Sequence, residues 1–322
     1  MGLTSRSRRH RMDAHAPDFP HRNFFDFVVD HHEGVEHTLP PMKTTLADTL
    51  VQYSKIEVPN GVIKYSTMAT RYAAARGDMP LLEWLGTHLC CAWDEGVCAM
   101  AAKHGHLHVV KWLREEKMCA WDENTCVYAA LGGHLGVLEW ALRNGCPSSP
   151  TAFDFAALNG HLGAMKLLYS PDIGVEMREM AALYAARAGH TDIIEWLYVS
   201  GFSAATFNTL GLCNEAAEGG HLDTVIWLWG VGVTWDSNTC TAAAKNGHLD
   251  VLKWLRHHGC LWDADTTFYA AHGEHVETLR WCMEQGCPWR TDTIILYHNT
   301  DVLEYLKFNN IKFVFRGRRQ NI

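Results

Sequence analysis

Residues 243–255 read AAKNGHLDVLKWL, and this phrase returns down the chain. It is AAARGDMPLLEWL from Ala73, AAKHGHLHVVKWL from Ala101, AALGGHLGVLEWA from Ala129 and AALNGHLGAMKLL from Ala156. It continues as AARAGHTDIIEWL from Ala185, AAEGGHLDTVIWL from Ala216 and AAHGEHVETLRWC from Ala270, with a worn copy, IILYHNTDVLEYL, from Ile294. The turn position holds Gly77, Gly105, Gly133, Gly160, Gly189, Gly220 and Gly247, then Glu274; successive separations are 28, 28, 27, 29, 31, 27 and 27 residues. A fixed period of this size marks one supersecondary unit per repeat, and such units must stack because none can bury both of its faces alone.

Each unit reads as two helices. In the copy at Ala243, Leu249, Val251, Leu252, Trp254 and Leu255 are apolar, while Asp250, Lys253 and Arg256 are polar. That is the one-sided stripe of an amphipathic second helix. The glycine ahead of it allows the turn, and Gly145, Gly259 and Gly286 after it suit left-handed C-caps. The first helix is short and ends in Ala-Ala, small enough for close helix approach. Ahead of it stand Trp93-Asp94, Trp121-Asp122, Trp235-Asp236 and Trp262-Asp263. The Asp is placed to cap the helix, and the Trp to cover the end of the neighbouring unit. Terminal units of a stack should be atypical; the copy at Ile294, and residues 46–56 upstream, read as caps.

The pattern AAxxGHLxVLxWLxxxGC resembles the ankyrin repeat, LAAxxGHLxVVxLLLxxGA, in register over about Thr67 to Leu306. The resemblance implies an all-α, ankyrin-like helix-turn-helix solenoid. Two departures are informative. The period is mostly 27–28 residues rather than the usual 33, and the TPLH opening is replaced by forms such as ENTCVY and SNTCTA. The shortening falls where ankyrins project a β-hairpin finger, so fingers should be short or missing. The pattern is similar to the Trp-rich variant found in large ankyrin families of single-celled eukaryotes and their large DNA viruses.

The totals agree with an ordered array. The chain has 322 residues, 48% of them hydrophobic and 20% charged, with a net charge of −8. That acidity argues against broad binding of nucleic acid or membrane surfaces. No run approaches the ~18–20 apolar residues of a membrane span. Eleven cysteines without a secretory signal suggest free thiols in a reducing compartment, cytosol or nucleus. Arg6, Arg8, Arg9, Arg11 and Arg22 at one end, with Arg316, Arg318 and Arg319 at the other, read either as solvated tails or as nuclear-import or nucleic-acid arms. The expected organisation is an irregular basic tail over 1–45, the array over 46–309 and a second basic tail over 310–322.

Candidate chemistry thins out on inspection. His106, His134, His161, His190, His221, His248 and His275 follow the turn position. Packed helices lie ~8–10 Å apart, so histidines one repeat apart cannot share a zinc ion whose ligands lie within ~2.3 Å. The ankyrin resemblance implies instead that the imidazole bonds backbone across the turn. His104, His106 and His108 form a denser cluster, the only weak metal candidate. His32 and His37, in HEGVEH, are five residues apart rather than the four of HExxH, and a helix would splay them by ~140°. Cys98, Cys126, Cys213 and Cys240 share a position before Ala-Ala and read as small buried residues; Cys90–Cys91 and Cys282–Cys287 lack CxxC spacing. The column Trp84, Trp112, Trp140, Trp196, Trp227, Trp254 and Trp281 reads as core. Trp229 stands where sister copies carry Arg114 and Arg256, as extra core or as a partner hot spot. No GxSxG or phosphate loop is present. The expectation is therefore no enzyme, no catalytic residue, no metal and no cofactor.

Repeat stacks bind where repeats differ. In ankyrins the two residues after Ala-Ala line the concave groove. Carried over, these are Ala75-Arg76, Lys103-His104, Leu131-Gly132, Leu158-Asn159, Arg187-Ala188, Glu218-Gly219, Lys245-Asn246 and His272-Gly273. With Trp229, the candidate partner-binding residues are Arg76, Lys103, His104, Leu131, Leu158, Asn159, Arg187, Lys245, Asn246 and His272. They suggest a mildly basic groove with an apolar centre, suited to an acidic segment with a hydrophobic anchor. The preceding position, Tyr72, Met100, Tyr128, Phe155, Tyr184 and Tyr269, reads as packing or as aromatic extension of the groove. The functional expectation is a monomeric scaffold for an unidentified protein partner, with no membrane role; the alternative is a nucleic-acid-associated nuclear factor acting through its Arg-rich termini.

Overall fold

The structure is a computed structural model that describes residues 62–88, 93–170, 173–289, 294–296, 300–312 and 314–316. By contacts the chain divides into Met1–Glu57 and Val58–Ile322, and every described residue lies in the second part. The Arg-rich stretch of residues 6–22, the HEGVEH segment, the cap expected over 46–56 and the Cys90–Cys91 pair fall outside the described residues, as do Arg318 and Arg319.

Helices alternate first, second, first, second. The regular pairs are α1 (Val62–Arg76) with α2 (Met79–His88), α3 (Glu95–Lys103) with α4 (Leu107–Glu115), and α5 (Glu123–Leu131) with α6 (Leu135–Arg143). Next come α7 (Pro150–Leu158) with α8 (Leu162–Leu168), and α9 (Val175–Ala188) with α10 (Thr191–Val199). After the short α11 (Ala204–Leu210) follow α12 (Leu212–Gly219) with α13 (Leu222–Gly230), α14 (Ser237–Lys245) with α15 (Leu249–His257), and α16 (Ala264–His272) with α17 (Val276–Glu284). First helices pack on first helices along the series α1, α3, α5, α7, α9, α12, α14, α16. The Ala-Ala pairs explain why they can: Ala73-Ala74, Ala101-Ala102, Ala129-Ala130 and their five successors are completely or almost completely buried.

Local chemistry sets the helix starts. Asp94 Oδ1 accepts the Val97 amide at 3.2 Å, and Asp122, Asp236 and Asp263 accept amides two residues on at 3.1, 2.9 and 2.9 Å. These are N-caps, each worth about 1 kcal/mol. Each Trp before a cap packs against the second-helix Trp of its own unit. Trp93–Trp112, Trp121–Trp140, Trp235–Trp254 and Trp262–Trp281 meet edge to face with centroids 5.5, 5.7, 5.7 and 5.7 Å apart.

The long spacings have separate causes. Before Gly189 the first helix is extended to 14 residues. Before Gly220 the extra helix α11 ends at Gly211, whose φ of 71° breaks the path and lets α12 begin anew.

Two expectations need correction. The Trp column is not core: Trp112 is buried, while Trp84, Trp140, Trp196, Trp227, Trp254 and Trp281 are half-buried. The fully buried second-helix positions are the flanking aliphatics, such as Val109, Val110 and Leu113 in α4. The other six indoles lie partly open to solvent at the edge of the seam. The worn copy at Ile294 does not begin as a helix either. Residues Ile294–Leu296 form strand β1, paired in parallel with β2 (Val314–Arg316), on either side of α18 (Thr300–Phe308). The β-branched Ile294-Ile295 replaces Ala-Ala there, which favours extended backbone over close helix packing. This strand pair is the departure from an all-helical array among the described residues, and it takes in part of the expected C-terminal tail.

Inter-repeat joints and the candidate partner face

The histidines after the turns bond backbone, but not across their own turns. His106 Nε2 lies 3.0 Å from the carbonyl of Ala75, and His134, His161, His190 and His248 reach Lys103, Leu131, Leu158 and Glu218 at 3.0, 3.1, 3.0 and 3.1 Å. His221 and His275 bond the backbone of Arg187 and Lys245 in the same way. Each acceptor belongs to the preceding unit. A carbonyl only accepts, so each imidazole must carry its proton on Nε2.

The glycine turns are the other half of this joint. Gly133 has φ +69°, a region that disfavours side chains. A Cβ there would also lie 2.6 Å from the His161 ring of the next unit. Gly220 is tighter still, with His248 2.3 Å from such an atom. Every joint therefore combines a glycine from one unit with a histidine from the next, and its acceptor is the C-terminal end of a first helix. Ala75, Lys103, Leu131, Leu158, Arg187, Glu218 and Lys245 all lie in the pairs expected to line a groove. The joints fix the backbone from which that face projects.

The face changes along its length. Near α1 and α3 it is basic and aromatic. Arg76 donates to the Tyr72 hydroxyl at 3.2 Å and lies over its ring, and Lys103 Nζ is 5.9 Å from the Tyr128 centroid. Burial lowers the Lys103 pKa, and burial together with nearby Lys103 lowers that of His104. Across α5, α7 and α9 the face is apolar: Tyr128, Leu131, Phe155, Leu158 and Tyr184 are half-buried, and Met180 is 42% exposed. Asn159 is exposed beside Leu158, although its Nδ2 donates to the Phe155 carbonyl at 2.8 Å.

Beyond α9 the charges pair off. Arg187 donates to Glu215 at 2.7 Å and to Glu218 at 3.1 Å, and Lys245 reaches Glu218 at 3.0 Å. Asn246 donates to the Glu218 carbonyl at 2.7 Å. Partly exposed pairs contribute only about 0.2–1 kcal/mol each; their larger effect is to neutralise the surface. His272 is exposed on α16, its ring parallel to Phe268 at 6.0 Å.

Two residues of this face carried a signal in the sequence that repeat counting missed. Glu215 interrupts the column of Tyr72, Met100, Tyr128, Phe155 and Tyr184, and it is the partner that neutralises Arg187. Asp154 on α7 holds an oxygen buried without a hydrogen-bond partner, and burial pushes its pKa up to about 6.

Trp229 lies apart, on the second-helix side. It is 47% exposed and stacks on Trp235 at 6.1 Å, with Trp254 and His258 at 5.7 and 5.1 Å. In sister units Arg114 and Arg256 cover Trp121 and Trp262 at 4.2 and 4.1 Å. Trp229 therefore fills an arginine slot over the next unit's Trp.

Other candidates resolve as follows. His104, His106 and His108 have ring centroids 6.5 and 5.9 Å apart, with His106 Nε2 committed to the joint. Among the described residues no group of three or more His, Cys, Asp or Glu side chains is placed to hold a metal. No helix among them is long and apolar enough to cross a membrane.

No protein-family model matches this sequence, and no curated protein does. Among solved structures, the ankyrin repeat domain of human ASB11 is 19% identical, covering 51% of this chain and 84% of its own, with a TM-score of 0.40. The pentatricopeptide repeat protein PPR10 in complex with an 18-nt psaJ RNA element is 13% identical over 77% of this chain and 42% of its own, TM-score 0.41. PPR10 from maize is 12% identical over 90% and 53%, TM-score 0.32. The fold rests on the repeat geometry itself: paired helices, an Ala-Ala seam and seven glycine–histidine joints make the described array a helical-repeat solenoid.

Proposed function

We propose that this protein is a binding scaffold that takes up a polypeptide segment on the exposed face of its first helices. The observation that carries the reading is the apolar stretch of Tyr128, Leu131, Phe155, Leu158, Met180 and Tyr184. It is contributed by three neighbouring helices and flanked by the basic end of Arg76, Lys103 and His104. Helix positions left partly open to solvent need not be apolar in three successive units, and apolar side chains grouped at a surface mark contact sites. The segment that fits carries an aliphatic or aromatic anchor, with acidic residues toward the α1–α3 end. Arg187 and Lys245, paired with Glu215 and Glu218, contribute shape and hydrogen-bonding capacity rather than free charge.

The test is affinity capture with the whole chain beside a Leu131→Glu/Leu158→Glu variant, with and without nuclease. A protein held by the native chain and lost by a variant that melts at the native temperature supports this face. Equal retention by the variant moves the site elsewhere. Capture abolished by nuclease favours nucleic acid as the partner.

A further inference from the structure

Two rows of thiols run through the stack. Cys98, Cys126 and Cys240 lie on the first helices α3, α5 and α14, and Cys119, Cys146 and Cys260 lie in the loops after the second helices of the same units. None is more than 5% exposed. The rows meet at one place with a measured contact: Cys240 Sγ donates to Cys260 Sγ at 3.2 Å. Each loop sulfur also rests on the carbonyl of a helix-capping Asp: Cys119 on Asp94 at 3.3 Å, Cys146 on Asp122 at 3.3 Å and Cys260 on Asp236 at 3.2 Å.

Packing does not require cysteine at either place. The helix position is Ala182 and the loop position Phe202 in one unit, and the loop position is Val233 opposite Cys213 in another. A disulfide needs sulfurs about 2.05 Å apart, so the Cys240–Cys260 pair has only about 1 Å to close. A cation stands beside this pair, because Arg256 donates to the Cys260 carbonyl.

We propose that Cys240–Cys260 is a thiol–disulfide site, closing into a disulfide within its own unit when the chain meets a small disulfide oxidant of the glutathione type. The loop sulfur reacts first. The Cys240 S–H and the nearby Arg256 favour the Cys260 thiolate, whereas the same hydrogen bond and burial hold the helix thiol of Cys240 above the usual range. The Cys260 thiolate attacks one sulfur of glutathione disulfide, forming a mixed disulfide and releasing one glutathione thiolate. Cys240, losing its proton, then attacks the Cys260 sulfur, forms the protein S–S bond and expels the second glutathione. Two protein thiols give up two protons and two electrons, and one glutathione disulfide becomes two glutathiones. Because the sulfurs are buried, attack waits on local opening of the unit. The bond then ties the first helix to the loop that follows the second.

The experiment incubates the whole chain with glutathione disulfide at graded ratios to glutathione, quenches with acid and alkylating agent, and maps peptides without reduction. Expected is a Cys240–Cys260 linked peptide pair, lighter by two hydrogens, with an unfolding midpoint about 5 °C higher. Cys260→Val and Cys240→Ala, residues already used at these positions in sister units, each abolish the Cys240–Cys260 bond and the shift. Two variants guard against one that fails to fold. Thiols that remain alkylatable at every ratio, even in mild urea, would overturn the proposal. So would stable glutathione adducts that never close, or linkage of Cys260 to Cys213 or Cys287.

Discussion

Replacing Gly133 by Ala tests the joint directly. At φ +69° an Ala costs about 1–2 kcal/mol on backbone grounds alone. Its methyl would also stand 2.6 Å from His161 Nδ1 and Cε1, so the ring must leave its seat. That breaks the 3.1 Å bond to the Leu131 carbonyl, at about 1 kcal/mol net and up to about 3 kcal/mol if the carbonyl is left without a partner. The total is about 2–5 kcal/mol. Gly145→Ala is the control: its φ is +79°, yet nothing lies within 4 Å of the added methyl, so only the backbone cost of about 1–2 kcal/mol should appear. Urea unfolding followed by Trp fluorescence gives both numbers. In a His161→Ala background, Gly133→Ala should fall to the cost of Gly145→Ala, because the clash has no target; this is a double-mutant cycle. If Gly133→Ala proves no worse than Gly145→Ala in the native background, the glycines serve the turn alone and the joint is not a source of stability.

Two further substitutions probe single residues. Asp154→Asn should stabilise the stack. The folded carboxyl titrates near 6 against an ordinary 3.8, so the native state holds its proton more tightly than the unfolded chain, and stability falls as pH rises from about 4 to about 6. The two values correspond to about 3 kcal/mol at neutral pH. Asp154 is only partly buried, so solvent screening reduces this to about 1–2 kcal/mol; thermal melts from pH 4 to pH 7 should show a steeper decline for the native chain than for the variant. Trp229→Arg should change stability by less than about 1 kcal/mol, because arginine covers the corresponding Trp121 and Trp262 in sister units, whereas Trp229→Ala should lose about 1–2 kcal/mol of stacking and buried area. Loss of partner capture by Trp229→Arg at native stability would make Trp229 a contact residue.

The repeating parts of this fold were legible because each has a local cause. Ala-Ala marks the helix seam, Trp-Asp the cap and its cover, and Gly-His the turn. A residue type that recurs at one position reports the same environment each time, eight times for Ala-Ala and four for Trp-Asp. What could not be read was whatever depends on the spacing between units. The histidine was expected to serve its own turn, and only the structure shows its ring crossing to the preceding unit. The indoles counted as apolar in the helical stripe, yet six of them lie partly open to solvent at the edge of the seam. In the candidate face, the identities after Ala-Ala pointed to Leu131 and Leu158 beside basic residues. Glu215, five residues before its turn glycine, escaped notice because it approaches Arg187 only when the units stack. Ile294-Ile295 looked like a degraded helix; periodicity over so short a run does not separate helix from strand.

The joint also bears on how such a gene can change length. Each unit contributes a glycine forward and a histidine backward, so excision of residues 134–160 would join Gly133 to His161 in sequence and bring His190 against Gly133 in space. No half-joint is orphaned, and duplication works the same way in reverse. Unequal recombination between the near-identical phrases would thus be silent for folding while removing or adding one whole step of the exposed face. Descendants of such a gene would differ in the register of what they recognise rather than in whether they fold.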